Sequence, residues 1–137
     1  MKNIVFILII LFAAIPTLKA DVKKWKLEQV GFLNIDRNEK DYGGFSGLLI
    51  KNAGTEALVV TDKSFFFVLE LRRDDNDILT GYSVIKKGRI LSSKGEHLNG
   101  RNTDSESIAM DANNNYYISF ESNHRIMMHT EVEGKGI

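Results

Sequence analysis

The residues of this sequence best suited to chemistry are carboxylates that stand where predicted β-strands begin or end. Asp62 and Glu121 each follow an apolar run, whereas Asp104 and Glu106 come just before one. Carboxylates that converge at one end of a sheet could hold calcium, which takes about six to eight oxygen ligands, or act as a general base toward water. Arg125 adds a planar guanidinium group that suits an anion. The candidate metal ligands are therefore Asp62, Asp104, Glu106 and Glu121, and the candidate catalytic residues are Glu106, Glu121 and Arg125.

Each of these residues also has a purely structural interpretation. Asp62 and Glu121 could accept backbone N–H bonds in the turn after their strands, as acidic residues often do. Glu106 could accept a hydrogen bond between neighbouring sheets. Arg125 follows His124 and could be an exposed or ion-paired side chain. The residue types leave both interpretations open.

The composition excludes several classes of protein. The chain has 137 residues with no cysteine, and 18 lysines and arginines balance 18 acids. Disulfide scaffolds, thiol chemistry and cysteine-bound zinc are therefore excluded. The basic residues are scattered, so we expect no nucleic-acid partner. The three histidines, at positions 97, 124 and 129, lack metal-site spacing, and we expect exposed imidazoles.

The first twenty residues have the pattern of a secretory signal peptide. Lys2 precedes an apolar run over residues 4–15, Pro16 ends the run, and Ala20 offers a cleavage site before Asp21. The apolar stretch is shorter than the roughly 20 residues of a membrane-spanning helix. We therefore predict a signal peptide over residues 1–20 and a folded domain over 21–137. The protein would then be secreted or periplasmic, with no stable membrane span after cleavage. The lack of cysteine favours a bacterial source.

Beyond residue 26 the pattern is that of short β-strands. Runs rich in β-branched and aromatic residues alternate with turn residues, and no stretch keeps a helical periodicity for three turns. The predicted strands cover residues 27–33, 45–50, 57–61, 65–71, 82–85, 108–110, 116–120 and 125–129. The sequence predicts an all-β, antiparallel fold.

An internal repeat indicates how these strands are arranged. The segment GLLIKNAG at 47–54 parallels SIAMDANN at 107–114, and ALVVTDKSFFF at 57–67 parallels YYISFESNHRI at 116–126. A recurring meander of this kind is typical of four-stranded β-propeller blades. A four-bladed ring needs about 160 residues, so we expect a partial propeller of about two blades, incomplete at the C-terminus. Alternatively, a small open sheet would have to oligomerise, but only if the short form is real.

Four motifs together resemble the phytase-like domain family, also described as esterase-like activity of phytase, a group of secreted bacterial β-propellers. They are GGFSGL at 43–48, VVTD at 59–62, DSESIAMD at 104–111 and SFESNHRI at 119–126, and their order matches as well as their wording. The resemblance covers about residues 27–128. The chain departs from the family at Ser107, where the family often has glycine.

The resemblance implies hydrolysis of a phosphate or carboxylate ester outside the cytoplasm, with calcium as the candidate cofactor and a small anionic ester as the substrate. Arg125 would then steady that ester. We expect the two blades alone to be inactive. The alternative is a non-catalytic binding or scaffold propeller that presents loops such as residues 74–77 to a partner.

Overall fold

Two antiparallel sheets make up the chain in a computed structural model that describes residues 24–35 and 43–137. The strands are β1 (Phe45–Lys51), β2 (Glu56–Thr61), β3 (Phe65–Arg73), β4 (Leu79–Arg89), β5 (Ser105–Met110), β6 (Tyr116–Phe120) and β7 (Arg125–His129). The first sheet has the order β1-β2-β3-β4 and the second the order β5-β6-β7. The all-β prediction is confirmed. The predicted signal peptide lies outside the described residues, and no helix within them is long and apolar enough to cross a membrane.

The repeat seen in the sequence is also a repeat of backbone geometry. The register of β1 with β2 shifts between Phe45 and Gly47, and that of β5 with β6 shifts between Ser105 and Ser107. Each sheet therefore has a β-bulge at the start of its first strand, with one extra residue in the bulge. Ser46 is that residue in the first sheet, and Glu106 is its counterpart in the second.

The two sheets pack face to face through one apolar core. Leu58, Val60 and Phe66 of the first sheet belong to the same buried cluster as Ile108 and Ile118 of the second. Burial of each large side chain contributes about 1.5–3 kcal/mol. These faces carry alternate residues of their strands, as the two-residue period of a strand requires. The arrangement is consistent with two neighbouring propeller blades, and the described residues do not close a ring.

The sheets come closest where β1 passes β5. A Cβ atom added to Gly47 would lie 3.0 Å from the backbone nitrogen of Ile108. Glycine at this position therefore lets the two backbones approach. The residues beside Gly47 and Ile108, including Ser46 and Glu106, are drawn together at the same end of both sheets.

Two predicted strands differ from the structure. Residues 27–33 form no strand, and Leu27 is 99% exposed, because an alternating pattern makes a strand only when a neighbouring strand pairs with it. The short prediction at 82–85 is part of the much longer β4, which pairs with β3 as far as Arg89. Beyond β7, Ile137 exchanges two backbone hydrogen bonds with Met128, of 2.7 and 3.4 Å.

Candidate functional site

Three of the four predicted metal ligands meet at one end of the second sheet. Asp104 directly precedes β5, Glu106 lies in the bulge of β5, and Glu121 directly follows β6. One ligand atom from each residue lies within 4.8 Å of the others. Because β5 and β6 are antiparallel, the start of one strand and the end of the next share one edge, which is why these residues meet.

Hydrogen bonds hold this carboxylate group in place. The backbone N–H of Glu121 donates to the carbonyl of Asp104 at 2.9 Å. The hydroxyl of Ser122 donates to Oδ2 of Asp104 at 2.5 Å. Glu106 is the extra residue of the bulge, and bulges commonly redirect a side chain beside a functional site. Ser122 was not predicted from the sequence, although its position after Glu121 was a usable signal.

The neighbouring carboxylates affect the ionisation of Glu106. Partial desolvation, followed by the charges of Asp104 and Glu121, raises the pKa of Glu106 above its ordinary value, and a hydrogen bond with Asp104 and the charge of Asp62 act in the same direction. The influence of Asp62 comes from the first sheet. With its pKa raised, Glu106 holds its proton more firmly than an ordinary glutamate does.

Asp62 occupies the equivalent place in the first sheet, but its side chain turns inward over the backbone. Its N–H donates to the carbonyl of Gly44 at 2.8 Å, as that of Glu121 does to Asp104. A Cβ atom on Gly44 would lie 2.1 Å from Oδ1 of Asp62, so the carboxylate occupies the space that glycine leaves. Oδ1 is buried and has no hydrogen-bond partner among the described residues.

The turn after β2 does not use Asp62 as its acceptor. The hydroxyl of Thr61 accepts the N–H groups of Lys63 and Phe65, at 3.3 and 3.2 Å. The turn-capping interpretation of Asp62 is therefore not what the structure shows. The ligand atoms that meet belong to Asp104, Glu106 and Glu121, and this all-oxygen donor set fits a hard divalent cation such as calcium. The predicted ligand Asp62 lies outside that set, with its buried oxygen turned toward Gly44.

Arg125 lies apart from this group of ligand atoms. It donates to the carbonyls of Asn123 at 2.9 Å and Asn102 at 2.6 Å, and its guanidinium stacks on Phe120 at 3.8 Å from the ring centroid. Desolvation lowers its pKa. Arg125 thus fastens the 3-10 turn at Gly100–Asn102 to the turn that carries Glu121. Its contact with a substrate stays a prediction.

One histidine differs from expectation. His97 and His124 are exposed as predicted, but His129 is fully buried, because it shares the inner face of β7 with Met127. Burial lowers the pKa of His129, although an interaction with the carbonyl of Gly134, 3.0 Å from Nδ1, acts in the opposite direction.

Comparison with known proteins matches the chain to a family. The family described as "Phytase-like: Esterase-like activity of phytase" matches residues 40–136, which is more than half of the chain. The matched region includes both sheets and all the carboxylates described above. No curated protein and no solved structure matches the chain significantly. On this match, and with the fold and repeat described above, the chain belongs to the phytase-like family.

Proposed function

We propose that this chain carries part of the catalytic end of an exported ester hydrolase, which uses a divalent cation and acts on small anionic phosphate or carboxylate esters. The observation that carries the proposal is the meeting of the Asp104, Glu106 and Glu121 carboxylates within 4.8 Å. The family description supports ester chemistry. The signal-like residues 1–20 support export to the periplasm or the medium.

In this proposal the carboxylates have two roles, which are cation binding and proton acceptance. Asp104, Glu121 and Asp62 would hold the cation together with Glu106, and calcium is the first candidate because all the donors are oxygens. A cation bound there would polarise the ester oxygen and lower the pKa of an attacking water. Glu106 would accept the proton of that water, because it lies in the bulge of β5 beside the other two carboxylates.

Two structural contacts would keep these groups ready. Ser122 donates to Oδ2 of Asp104 and so fixes the orientation of that carboxylate. Arg125 holds the backbone around Asn102 and Asn123, which flank this end of the sheet. Such fixed positions reduce the reorganisation that the reaction would otherwise need.

Calcium titration followed by thermal unfolding tests the cation site. A ligand that binds only the folded state stabilises it by about 2.7 kcal/mol at 100 times its Kd. Glu106→Gln should remove most of this response. Glu70→Gln, an equal change of charge on the exposed surface at the opposite end of the first sheet, should leave it intact. A flat titration of the unmodified chain would contradict the cation site.

The catalytic part needs a separate assay. Hydrolysis of p-nitrophenyl phosphate and p-nitrophenyl acetate is measured on the protein secreted by its native host. The intact mass of that secreted protein reports how many blades accompany these two sheets. Activity that rises with calcium and disappears in Glu106→Gln supports the hydrolase. Calcium binding with no turnover above the Glu106→Gln level supports the non-catalytic binding protein instead.

A further inference from the structure

Three serine hydroxyls cross between the sheets at the carboxylate end. Ser105 donates to the carbonyl of Thr61 at 2.5 Å, and Ser46 donates to the carbonyl of Ser105 at 2.5 Å. Ser64 donates to the carbonyl of Thr103. The three accepting carbonyls belong to residues that directly adjoin Asp62, Asp104 and Glu106 in the chain. The hydrogen bonds therefore act on the backbone that carries these acids.

Ser105 differs from the other two serines because it bonds to the first sheet in both directions. Its side chain is fully buried, its hydroxyl donates to Thr61, and its own carbonyl accepts from Ser46. It also stands between Asp104 and Glu106. Unlike the side chain of Ser105, those of its two acidic neighbours are not buried.

We propose that Ser105 is a positioning residue of the carboxylate end, whose hydroxyl fixes the separation between Asp62 on the first sheet and Asp104 and Glu106 on the second. The proposal rests on the proposed function, in which these carboxylates bind one cation. It does not make Ser105 a ligand, because its hydroxyl is committed to Thr61. Thr61, which accepts this hydrogen bond, directly precedes Asp62, so the bond ties the backbone beside Asp62 to the strand that carries Glu106.

Removal of this hydroxyl should leave the protein folded. The carbonyl of Thr61 also accepts the N–H of Ser64 at 2.9 Å, so it keeps a donor when Ser105 is replaced by alanine. The apolar core between the sheets contains neither group. Ser105→Ala thus perturbs the spacing of the sheets at one end more than it perturbs the fold.

Terbium luminescence, with Tb³⁺ as a probe for an oxygen-ligated cation site, measures the effect on the full chain. We expect Ser105→Ala to weaken terbium affinity about tenfold, which corresponds to about 1.4 kcal/mol. The matched control is Ser107→Ala, because Ser107 lies on the same strand beside Glu106 but pairs its hydroxyl with Ser119 within the second sheet, at 2.8 Å. The control should keep the affinity within about twofold. If Ser105→Ala fails to fold, Ser46→Ala, which removes the reciprocal bond, takes its place.

A second readout separates this proposal from the cation site itself. Without metal, NMR measures the cross-sheet NOE between the Hα protons of Gly47 and the amide proton of Ile108, because these two backbones approach each other beside the carboxylate end. This NOE should weaken in Ser105→Ala but not in Ser107→Ala, since only the Ser105 hydroxyl bonds across the sheets. If the unmodified chain binds no terbium, the proposed function fails, and the NOE then decides whether Ser105 sets the separation of the sheets. If the chain does bind terbium, equal affinity in folded Ser105→Ala overturns the positioning role.

Discussion

Replacement of Gly44 by alanine tests whether the Asp62 carboxylate lies where the site requires it. Gly44 has a φ of +64°, a conformation that costs an alanine about 1–2 kcal/mol. The new Cβ would also lie 2.1 Å from Oδ1 of Asp62, whereas ordinary contact needs about 3.5 Å. The carboxylate must retreat by roughly 1 Å or more, and forcing it off its rotamer adds about 0.5–1.5 kcal/mol.

The chain offers a matched control for the backbone part of this cost. Gly100 has a φ of +56° with nothing within 4 Å of the added Cβ. The destabilisation by Gly100→Ala therefore comes from the backbone conformation and not from a clash. Urea unfolding of both variants gives the two free energies, and we expect Gly44→Ala to be the more destabilised by about 0.5–1.5 kcal/mol. In an Asp62→Ala background this excess should vanish, because the clashing group is gone. Equal costs of the two alanines in the unmodified background would refute the placement of Asp62 over Gly44.

Three other predictions follow from burial and backbone geometry. Ile118→Ala should lower the free energy of unfolding by about 2–5 kcal/mol, because Ile118 is fully buried between the sheets; the matched Ile126→Ala, on a residue 70% exposed, should change it by less than about 0.5 kcal/mol in the same urea experiment. Ala53→Gly should stabilise the chain by up to about 1 kcal/mol, because Ala53 has a φ of +52° in the turn after β1, and no gain in thermal unfolding would argue against that turn geometry. His129 has a folded-state pKa below its unfolded value of about 6.5, so the unfolded state binds more protons below that pH, and stability should fall as the pH drops from about 6.5 toward the folded pKa. Comparison of unfolding between pH 5 and 7 with His129→Gln, which does not titrate, isolates this effect, and parallel pH profiles would count against it.

The sequence predicted the strands best where their residues are buried by the neighbouring sheet. The bounds predicted for β6 and β7 agree with the structure because their inner-face residues, such as Ile118 and Met127, form a clear apolar pattern. The full length of β4 was missed because its second half carries Lys86, Lys87 and Arg89, which suit an edge strand but give no apolar signal. The segment 27–33 has the alternating pattern of a strand, but no neighbouring strand in the described part of the chain pairs with it.

In the candidate site, too, strand position could be predicted from the sequence, whereas the packing of the two sheets could not. The repeat alone placed Asp62 and Glu121 at equivalent strand ends, and the structure places Glu121 with Asp104 and Glu106. The inward turn of Asp62 and the cross-sheet bonds of Ser105 depend on how closely the two sheets approach. No local pattern in the sequence encodes that distance. Likewise, the carbonyl partners of Arg125 follow from the path of the turn around Asn102, which only the folded chain defines.

The two sheets share one backbone arrangement but differ in which of their end residues are acidic. Each sheet has the same bulge, and in each the residue after the second strand donates its N–H to the residue before the first. At three equivalent positions the first sheet has Gly44, Ser46 and Asp62, whereas the second has Asp104, Glu106 and Glu121.

The small residues of the first sheet accommodate its own Asp62 and support the acids of the second sheet. Gly44 makes room for the Asp62 carboxylate to fold inward, and Ser46 uses its hydroxyl to bond the carbonyl of Ser105. If either position carried an acid as well, a further negative charge would enter an end that already holds four carboxylates, and like charges at this range oppose ionisation. The asymmetry between the repeats therefore follows from their packing: one sheet carries most of the charge, and the other supplies the close approach and the hydrogen bonds that hold that charge in place.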